Sequence, residues 1–367
     1  MTSLERREAR YQRRKAKRNK QTPTFEDVFS FEHLYNASRR CRLGVGWKAS
    51  TQRHLSRELM VVTELYKSLH LGKYKALPFS EFDLVERGKQ RHIKSCHIKD
   101  RAVQKCLCEN CLVPILVPKL IYDNGACMKN KGVHFARNRL LCHLQRHYRK
   151  YGAEGYVLVF DFKSYFDSIP HQTLIDKLCT YIKDDRLTKV YQGLVSDFGG
   201  NKGLGLGSQI SQISAVFFLN GFDHFIKEKL RIKGYGRYMD DGYLIHQDKK
   251  YLALCLKRMR EYCNSLGITL NLKKTQIVKL AAGFNYLKQR WLMLPSGKII
   301  RTPVKANIIR QRRKLKRFSV KLKNGSIKLE NVAMSQSSWR SCIEKINAKR
   351  QLWNMENLYK KLFGGIV

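Results

Sequence analysis

Acidic residues are scarce in this sequence. Its 367 residues include 29 Asp and Glu against 72 Lys and Arg, which gives a formal net charge of +43. A chain with this charge repels itself unless a polyanion neutralises it, so the imbalance indicates a polyanionic partner, with nucleic acid as the first candidate. An anionic membrane surface is the alternative, but the positive charge runs through the whole chain rather than along one amphipathic helix.

Long apolar runs and a disulfide framework are absent as well. No run approaches the roughly 18 apolar residues that predict a membrane-spanning helix, and no apolar segment follows the basic residues 1–20 as it would in a signal peptide. The 11 cysteines are odd in number and scattered, which favours reduced thiols over disulfides. These features predict a cytoplasmic protein with no membrane partner, and the 43% hydrophobic content excludes a purely disordered basic tail.

The hydrophobic pattern places strands next to carboxylates. Residues 156–160 form a continuous apolar run, as in a strand buried on both faces, and Asp161 follows directly. Residues 237–245 predict a strand, a tight turn and a second strand, with the sequence Asp-Asp-Gly supplying the turn. Two short strands joined by a glycine-containing turn are predicted within residues 80–100.

Helix signals account for much of the remaining chain. We predict a helix capped by Asp100 that runs to Pro114, one over residues 171–183 and one over residues 208–230. Residues 305–323 are almost purely basic with interleaved apolar residues, which predicts a helix that lays one face on phosphates.

The carboxylates suit a divalent metal site. Adjacent like charges such as Asp240 and Asp241 raise each other's pKa unless a cation lies between them. If Asp161 converges with this pair, the three form an oxygen-rich site of the kind that binds Mg²⁺ together with substrate phosphates. Asp-Asp pairs also occur at ordinary solvated helix ends, which is our interpretation of Asp184 and Asp185.

Five motifs in the same order and spacing resemble those of reverse transcriptases, and the resemblance covers most of the chain. They are a fingers segment made of Lys89-x-Arg91 and residues 99–104, the first aspartate motif at 159–167, the double-aspartate box at 238–241, residues 266–270 with Lys274 and Thr275, and residues 284–287.

One loop indicates the branch of the superfamily. Group II intron enzymes typically carry Pro-Gln-Gly here, whereas residues 206–212 have the form apolar-Gly-x-x-x-Ser-Gln. This form is similar to the signature of diversity-generating retroelement reverse transcriptases, a group II intron-like branch. The chain departs from that group at Gly205, where many relatives have proline, and at Ser341 and Cys342, where Gly-His is common.

The resemblance implies an α+β fold of the right-hand polymerase type, with an antiparallel sheet and helices in the fingers and palm and a helical thumb. The implied domains are a basic N-terminal arm (1–24), fingers with the start of the palm (25–150), a palm with the catalytic carboxylates (151–292) and a basic helical thumb (293–367).

The resemblance also implies roles for individual residues. Asp161, Asp240 and Asp241 would be the catalytic carboxylates, and together with the Phe162 carbonyl they would hold two Mg²⁺ ions, or Mn²⁺ in their place. Phe166 would abut the sugar C2′ and exclude a 2′-hydroxyl. The other residues implied to contact the nucleotide are Lys89, Arg91, Leu206, Gly207, Gln212 and Lys274, and those implied to contact nucleic acid in the thumb are Arg310, Arg312, Arg313, Lys314, Lys316 and Arg317.

Several of these residues carry separate expectations. In accurate relatives a glutamine matches Leu206, and its amide contacts the incoming nucleotide. An aliphatic side chain offers only packing, which predicts low fidelity. This agrees with the family that the sequence resembles, which is error-prone at template adenines. Lys274 either acts as a general acid toward pyrophosphate or lies along the nucleic-acid backbone. For Lys89 and Arg91 the alternative is a solvated hairpin, and for Phe166 it is a core position.

The implied function is RNA-templated DNA synthesis in a bacterial, archaeal or phage-encoded setting. The partners would be dNTPs, a structured template RNA, cDNA with a target gene that it diversifies, and a basic oligomeric accessory protein. The alternatives are an antiphage-defence reverse transcriptase and a catalytically inactive RNA-binding protein or chaperone. An RNA-dependent RNA polymerase agrees less well with the sequence, because Phe166 would have to admit ribose.

Overall fold

The structure is a computed structural model that describes residues 22–86 and 88–364 together with Glu5 and Glu8. Most of the predicted basic arm therefore lies outside the described residues, as does the side chain of Lys89. The chain forms two compact units. The first comprises the residues up to Ile121 with Ser164–Gly221 and Leu266–Ile268, and the second comprises Tyr122–Lys163, Phe222–Ser265 and the residues from Thr269 onward.

Helices make up most of the structure. The α-helices of the described residues are α1 (Phe25–Val28), α2 (Phe31–Cys41), α3 (Ala49–Ser56), α4 (Glu58–His70), α5 (Ile98–Leu107), α6 (Val113–Leu116), α7 (Val133–Tyr151), α8 (Tyr165–Ser168), α9 (His171–Cys179), α10 (Asp185–Ser196), α11 (Gln209–Phe218), α12 (Asn220–His224), α13 (Lys249–Ser265), α14 (Lys305–Lys323), α15 (Leu329–Ile343) and α16 (Lys349–Phe363). Single π-helical turns, Cys108–Leu112 and Phe225–Lys229, follow α5 and α12. Among the described residues, no helix combines the length and the apolar character that a bilayer crossing requires.

The strands of the described residues form antiparallel sheets. They are β1 (Ser80–Glu86), β2 (Lys89–Ser95), β3 (Tyr156–Phe160), β4 (Gly234–Tyr238), β5 (Asp241–His246), β6 (Gln276–Lys279), β7 (Phe284–Tyr286), β8 (Gln289–Met293) and β9 (Ile299–Pro303). The first unit holds the hairpin β1-β2, and the second holds one sheet in the order β4-β5-β3-β6 and another in the order β7-β8-β9. The predicted α+β class with antiparallel sheets is confirmed, and so is the hairpin within residues 80–100.

Strand β3 is an inner strand of the four-stranded sheet and is buried on both faces. Successive side chains of a strand point to opposite faces, and Val157 and Leu158 are both fully buried. On one face Val157 belongs to an apolar cluster that includes Leu140 and Leu144 of α7 and Trp291 of β8. The continuous apolar run therefore predicted β3 correctly.

Gly242 permits close packing within this sheet. It lies on β5 opposite Phe160, and a Cβ at this position would overlap the Phe160 ring. We expect Gly242→Ala to destabilise the protein by about 1–3 kcal/mol, because the ring or the strand must move, and to lower Tm in thermal unfolding. Gly193→Ala is the matched control, since Gly193 lies in α10 with open space around it and alanine favours helix there. A wild-type Tm for Gly242→Ala would contradict this packing.

The predicted Asp-Asp-Gly turn was wrong in its register. Tyr238 pairs with Asp241, so the turn between β4 and β5 consists of Met239 and Asp240, and Gly242 is a strand residue. Met239 has a φ of +55°, in the left-handed region that two-residue hairpin turns require at their first position. Glycine or asparagine usually occupies such a position, which is why the sequence pointed to the wrong residues.

The helix predicted from Asp100 begins earlier along the chain. In the structure His97 caps α5, and its Nδ1 accepts a hydrogen bond from the Lys99 backbone N–H at 3.2 Å. Asp100 is instead 1% exposed and accepts hydrogen bonds from the Tyr74 hydroxyl and the Leu77 backbone N–H. The prediction failed because the partners of Asp100 lie in an earlier loop, which local capping rules do not consider.

The other predicted helices are present with altered ends. The helix predicted over residues 171–183 ends at Cys179, and residues 208–230 contain α11, α12 and a π-helical turn. The basic helix predicted over residues 305–323 is confirmed as α14. It packs with α15 and α16 around a separate apolar cluster that includes the buried side chains of Leu315 and Met355.

Candidate active site

Strand register brings the three predicted catalytic carboxylates together in the second unit. Phe160 pairs with Gly242, so Asp161 and Asp241, the next residues along antiparallel β3 and β5, lie side by side at one end of the sheet. Asp240 precedes Asp241 in the turn. Asp161 is 4% exposed, and the other two aspartates are half-buried.

Burial and mutual repulsion make the ionised form of this cluster costly. Burial, followed by the Asp161 charge, raises the pKa of Asp240. Burial, with the charges of Asp240 and Asp161, raises the pKa of Asp241 to about 7. Lys274 opposes this repulsion, because its Nζ forms an ion pair with Asp161 Oδ2, and that hydrogen bond in turn raises the pKa of Lys274. The cluster thus attracts cations.

The donor set suits a hard divalent cation. Asp161 Oδ1 is a buried carboxylate oxygen with no hydrogen-bond partner among the described residues. Within residues 22–86 and 88–364, no group of three or more His, Cys, Asp or Glu side chains is arranged so that it could hold a metal ion by itself. Mg²⁺ does not require such a group, because it keeps several waters and binds through one or two carboxylates plus substrate phosphates. The residues therefore fit a metal whose coordination the substrate completes.

Backbone hydrogen bonds hold the end of β3 in place. Residues 161–163 pair with residues 269–271, and the Asn271 N–H donates to the Asp161 carbonyl oxygen at 2.7 Å. The Phe162 ring is buried and lies edge-on to two neighbouring phenylalanine rings. The backbone that carries the predicted Phe162 carbonyl ligand is therefore fixed from both sides.

The first unit holds the other residues predicted to contact the nucleotide. Arg91 is exposed on β2. Phe166 is half-buried on α8, and its carbonyl accepts a backbone hydrogen bond from the glycine-rich loop before α11. Leu206 is half-buried in that loop, Gly207 is exposed with a φ of +104°, and Gln212 is exposed on α11.

Leu206 lines a cavity of about 450 Å³ within the first unit. Lys94 and Lys202 also line it, and Lys94 Nζ donates a 2.7 Å hydrogen bond to the Phe198 carbonyl. A Cβ at Gly205 would lie 2.7 Å from the Phe198 ring. A side chain at this position would therefore require the Phe198 ring to move, so the loop favours glycine here.

The cations of α14 do not all line the same groove. Arg312, Arg313 and Lys316 line a groove of about 510 Å³, together with Asn354 and Asn357 of α16. Cationic and amide groups around one groove suit a phosphate backbone. The predicted nucleic-acid-binding residues that do not line it are Arg310, Lys314 and Arg317.

Sequence reasoning missed a buried ion pair behind the turn. Arg237 of β4 and Asp223 of α12 are both fully buried, with Arg237 Nη2 2.6 Å from Asp223 Oδ2. A signal was present, because an arginine within a strand predicted to be buried requires a partner. The identity of that partner depends on how α12 packs against the sheet, which the sequence pattern does not give.

Comparison with models of protein families identifies the family of this chain. The family model described as reverse transcriptase (RNA-dependent DNA polymerase) matches residues 80–292, more than half of the chain. The chain belongs to the reverse transcriptase family. The matched segment contains Asp161, Asp240 and Asp241, and reverse transcriptase domains generally use divalent metal ions. No curated protein matches this reverse transcriptase.

Solved telomerase structures are similar to this reverse transcriptase. One is the apo telomerase of Candida tropicalis truncated from its C-terminal domain, with 13% identity, a TM-score of 0.47, and a match that covers 63% of this chain and 58% of that one. Another is the telomerase of Candida albicans in complex with a TWJ fragment of telomeric RNA. It has 14% identity and a TM-score of 0.48, and the match covers 84% of this chain and 65% of that one. The chain spans less than two thirds of the length of either.

Proposed function

We propose that this reverse transcriptase copies RNA into DNA with Asp161, Asp240 and Asp241 as its catalytic carboxylates and Mg²⁺ as its cofactor. The observation that carries the proposal is the convergence of the three carboxylates at one end of the β3 and β5 pair, with raised pKa values at Asp240 and Asp241. A divalent cation bound among such carboxylates relieves their mutual repulsion. Removing divalent metal with EDTA should abolish DNA synthesis and Mg²⁺ or Mn²⁺ should restore it, whereas synthesis that persists in EDTA would contradict the proposal.

Each residue of the cluster has a distinct part in this proposal. Asp161, Asp240 and the Phe162 carbonyl would hold two ions, and Asp241 would support them. The bound ions would supply stabilisation of the attacking and leaving oxygens of the phosphoryl transfer. Lys274 stays protonated beside Asp161, which suits the role of proton donor to pyrophosphate better than that of a backbone contact.

The triphosphate contacts are proposed for the hairpin β1-β2. Arg91 offers a planar fork that matches phosphate oxygens, and Lys89 adds a point charge. Gly207 and Gln212 belong to the loop and helix that follow Leu206 and complete the proposed nucleotide contacts.

Phe166 is proposed to select the sugar. A half-buried aromatic side chain beside C2′ leaves no room for a 2′-hydroxyl. Phe166→Ala should therefore admit ribonucleotides and lower the preference for dNTPs over rNTPs by at least about 10-fold in kcat/KM. Single-nucleotide incorporation with matched dNTP and rNTP measures this ratio, and an unchanged ratio would assign Phe166 to the core alone.

We further propose that the enzyme belongs to the diversity-generating retroelement type and is error-prone at template adenines. Leu206 supports this proposal, because an aliphatic side chain in the loop before α11 offers packing without a hydrogen bond. Leu206→Gln should lower misincorporation at template adenines by about 10-fold, with little change at other bases. Sequencing of cDNA made from a defined RNA measures the error frequencies, and equal frequencies at adenines in both proteins would contradict this role of Leu206.

The wider setting belongs to the same proposal. It comprises a structured template RNA, a target gene that the cDNA diversifies and a basic oligomeric accessory protein, with the fingers, palm and thumb divided at residues 150 and 292. A template repeat and a variable repeat that differ at adenines in the flanking DNA would support it. Flanking defence genes without such repeats would favour an antiphage reverse transcriptase instead.

A further inference from the structure

A buried ion pair lies directly behind the turn that carries Asp240. Asp223 of α12 and Arg237 of β4 are completely buried. The guanidinium binds the carboxylate through two hydrogen bonds, with Nε 2.7 Å from Oδ1 and Nη2 2.6 Å from Oδ2. The Tyr235 hydroxyl donates a further hydrogen bond of 2.6 Å to Asp223 Oδ1. These contacts hold the pair in one geometry.

The remaining nitrogen of the guanidinium connects this pair to the turn. Arg237 Nη1 donates a 2.8 Å hydrogen bond to the Met239 carbonyl oxygen. Met239 has a φ of +55°, a conformation that is unfavourable for a residue other than glycine and persists only where its surroundings enforce it. That carbonyl belongs to the peptide bond between Met239 and Asp240. Arg237 therefore fixes the peptide plane that leads into the carboxylate pair.

Arg237 is itself anchored through its backbone. Its N–H donates to the Asp123 carbonyl at 3.2 Å, and its own carbonyl accepts the Gly125 N–H at 3.0 Å. These bonds fix the outer edge of β4, while Asp223 fixes the side chain. The guanidinium thus has little freedom to move away from the turn.

Stability alone does not account for a charged pair at this position. Buried ion pairs can often be replaced by well-packed apolar residues without loss of stability. An arginine offers what neither an apolar residue nor a lysine can, which is a planar fork that serves Asp223 and the Met239 carbonyl at once. We propose that Asp223 and Arg237 are positioning residues that hold the turn in the shape its metal-binding carboxylates require, an inference that rests on the proposed function.

Arg237→Lys tests this role, because it keeps the charge and loses the fork. We expect the dissociation constant for Mn²⁺, measured by electron paramagnetic resonance on the protein without substrates, to rise about 10-fold or more. The Mg²⁺ concentration that half-saturates cDNA synthesis should rise in parallel. The Kd for an RNA template annealed to a DNA primer should stay unchanged. Asp223→Asn should act in the same direction.

Arg137→Lys is the matched control. Arg137 of α7 is a half-buried arginine of the same unit, and its Nε and Nη2 donate hydrogen bonds to the Leu287 carbonyl oxygen rather than to the turn or its anchors, at 3.2 and 2.5 Å. This variant loses the same planar fork and should lower Tm without changing Mn²⁺ affinity. A wild-type Mn²⁺ affinity in Arg237→Lys, or an equal loss of affinity in Arg137→Lys, overturns the proposal.

Two further results distinguish the positioning role from a folding defect and from the proposed function itself. If Arg237→Lys does not fold, Tyr235→Phe is the variant to measure, because it removes only the hydroxyl hydrogen bond to Asp223. A wild-type Mn²⁺ affinity in Tyr235→Phe would then overturn the proposal. If the wild-type protein makes no cDNA but its Mn²⁺ affinity falls in Arg237→Lys, the proposed function fails and the positioning role is supported.

Discussion

Asp240→Asn should abolish cDNA synthesis while leaving RNA binding intact. The substitution preserves the size of the side chain and removes one of the charges that would hold the metal, so we expect kcat to fall by at least about 10²–10³-fold. Primer extension measures the activity, and filter binding of a labelled RNA measures the affinity. A pure RNA-binding protein would not show this separation, because it has no synthesis to lose.

The stability of the same variant provides a second readout. The pKa of Asp240 is raised in the folded protein, so its ionised form opposes folding at neutral pH when no metal is bound. Asp240→Asn should therefore have an equal or higher Tm than the wild type in EDTA, and Mn²⁺ should raise Tm in the wild type far more than in the variant. A lower Tm in EDTA would contradict the electrostatic argument.

Asp185→Asn is the matched control for both measurements. Asp185 belongs to the other Asp-Asp pair of the chain and is exposed in the first turn of α10. The chemical change is the same, but no carboxylate cluster is involved. This variant should keep wild-type synthesis and wild-type Tm in EDTA and in Mn²⁺.

Neutralising the groove between α14 and α16 should weaken binding of a primer-template duplex strongly. Replacing Arg312, Arg313 and Lys316 by glutamine removes three cations that line one groove. Because each phosphate contact releases counterions, we expect the slope of log Kd against log salt to fall by about 2–3 and Kd to rise by about 10–100-fold near 0.15 M salt. Fluorescence anisotropy over a salt series measures both quantities.

The same helix offers a control of equal charge. Arg310, Lys314 and Arg317 lie on α14 and do not line the groove. Their triple replacement by glutamine changes the net charge equally, so a general electrostatic attraction would be weakened equally by both triples. A clearly smaller effect of this second triple is expected, and equal effects would show that the groove is not the binding site.

Two features of the active site could be predicted from local sequence pattern, namely the strand that ends just before Asp161 and the hairpin that carries Asp240 and Asp241. A continuous apolar run ending in Asp161 predicted β3 and the position of its carboxylate, and an apolar strand on each side of Asp240 and Asp241 predicted the hairpin. That these residues meet depends on the pairing of β3 with β5, which the structure shows and the local pattern does not specify. The strand ends that carry the carboxylates therefore follow from local pattern, whereas their convergence and the register of the turn do not.

What could not be predicted depends on partners distant in sequence. The ion pair of Lys274 with Asp161 and that of Arg237 with Asp223 both depend on how separate elements pack, and no periodicity encodes them. The conformation of Met239 was missed for a related reason, since its local preference is overridden by a hydrogen bond from Arg237.

The most direct test of RNA-templated DNA synthesis is primer extension by the purified protein on an RNA template of mixed sequence. The reaction contains four dNTPs and Mg²⁺, and the product is sequenced. We expect DNA complementary to the template, made only when RNA template and metal are present and absent with Asp240→Asn. A folded protein that binds the primer-template but extends no primer, or whose product does not follow the template sequence, would contradict the proposed function.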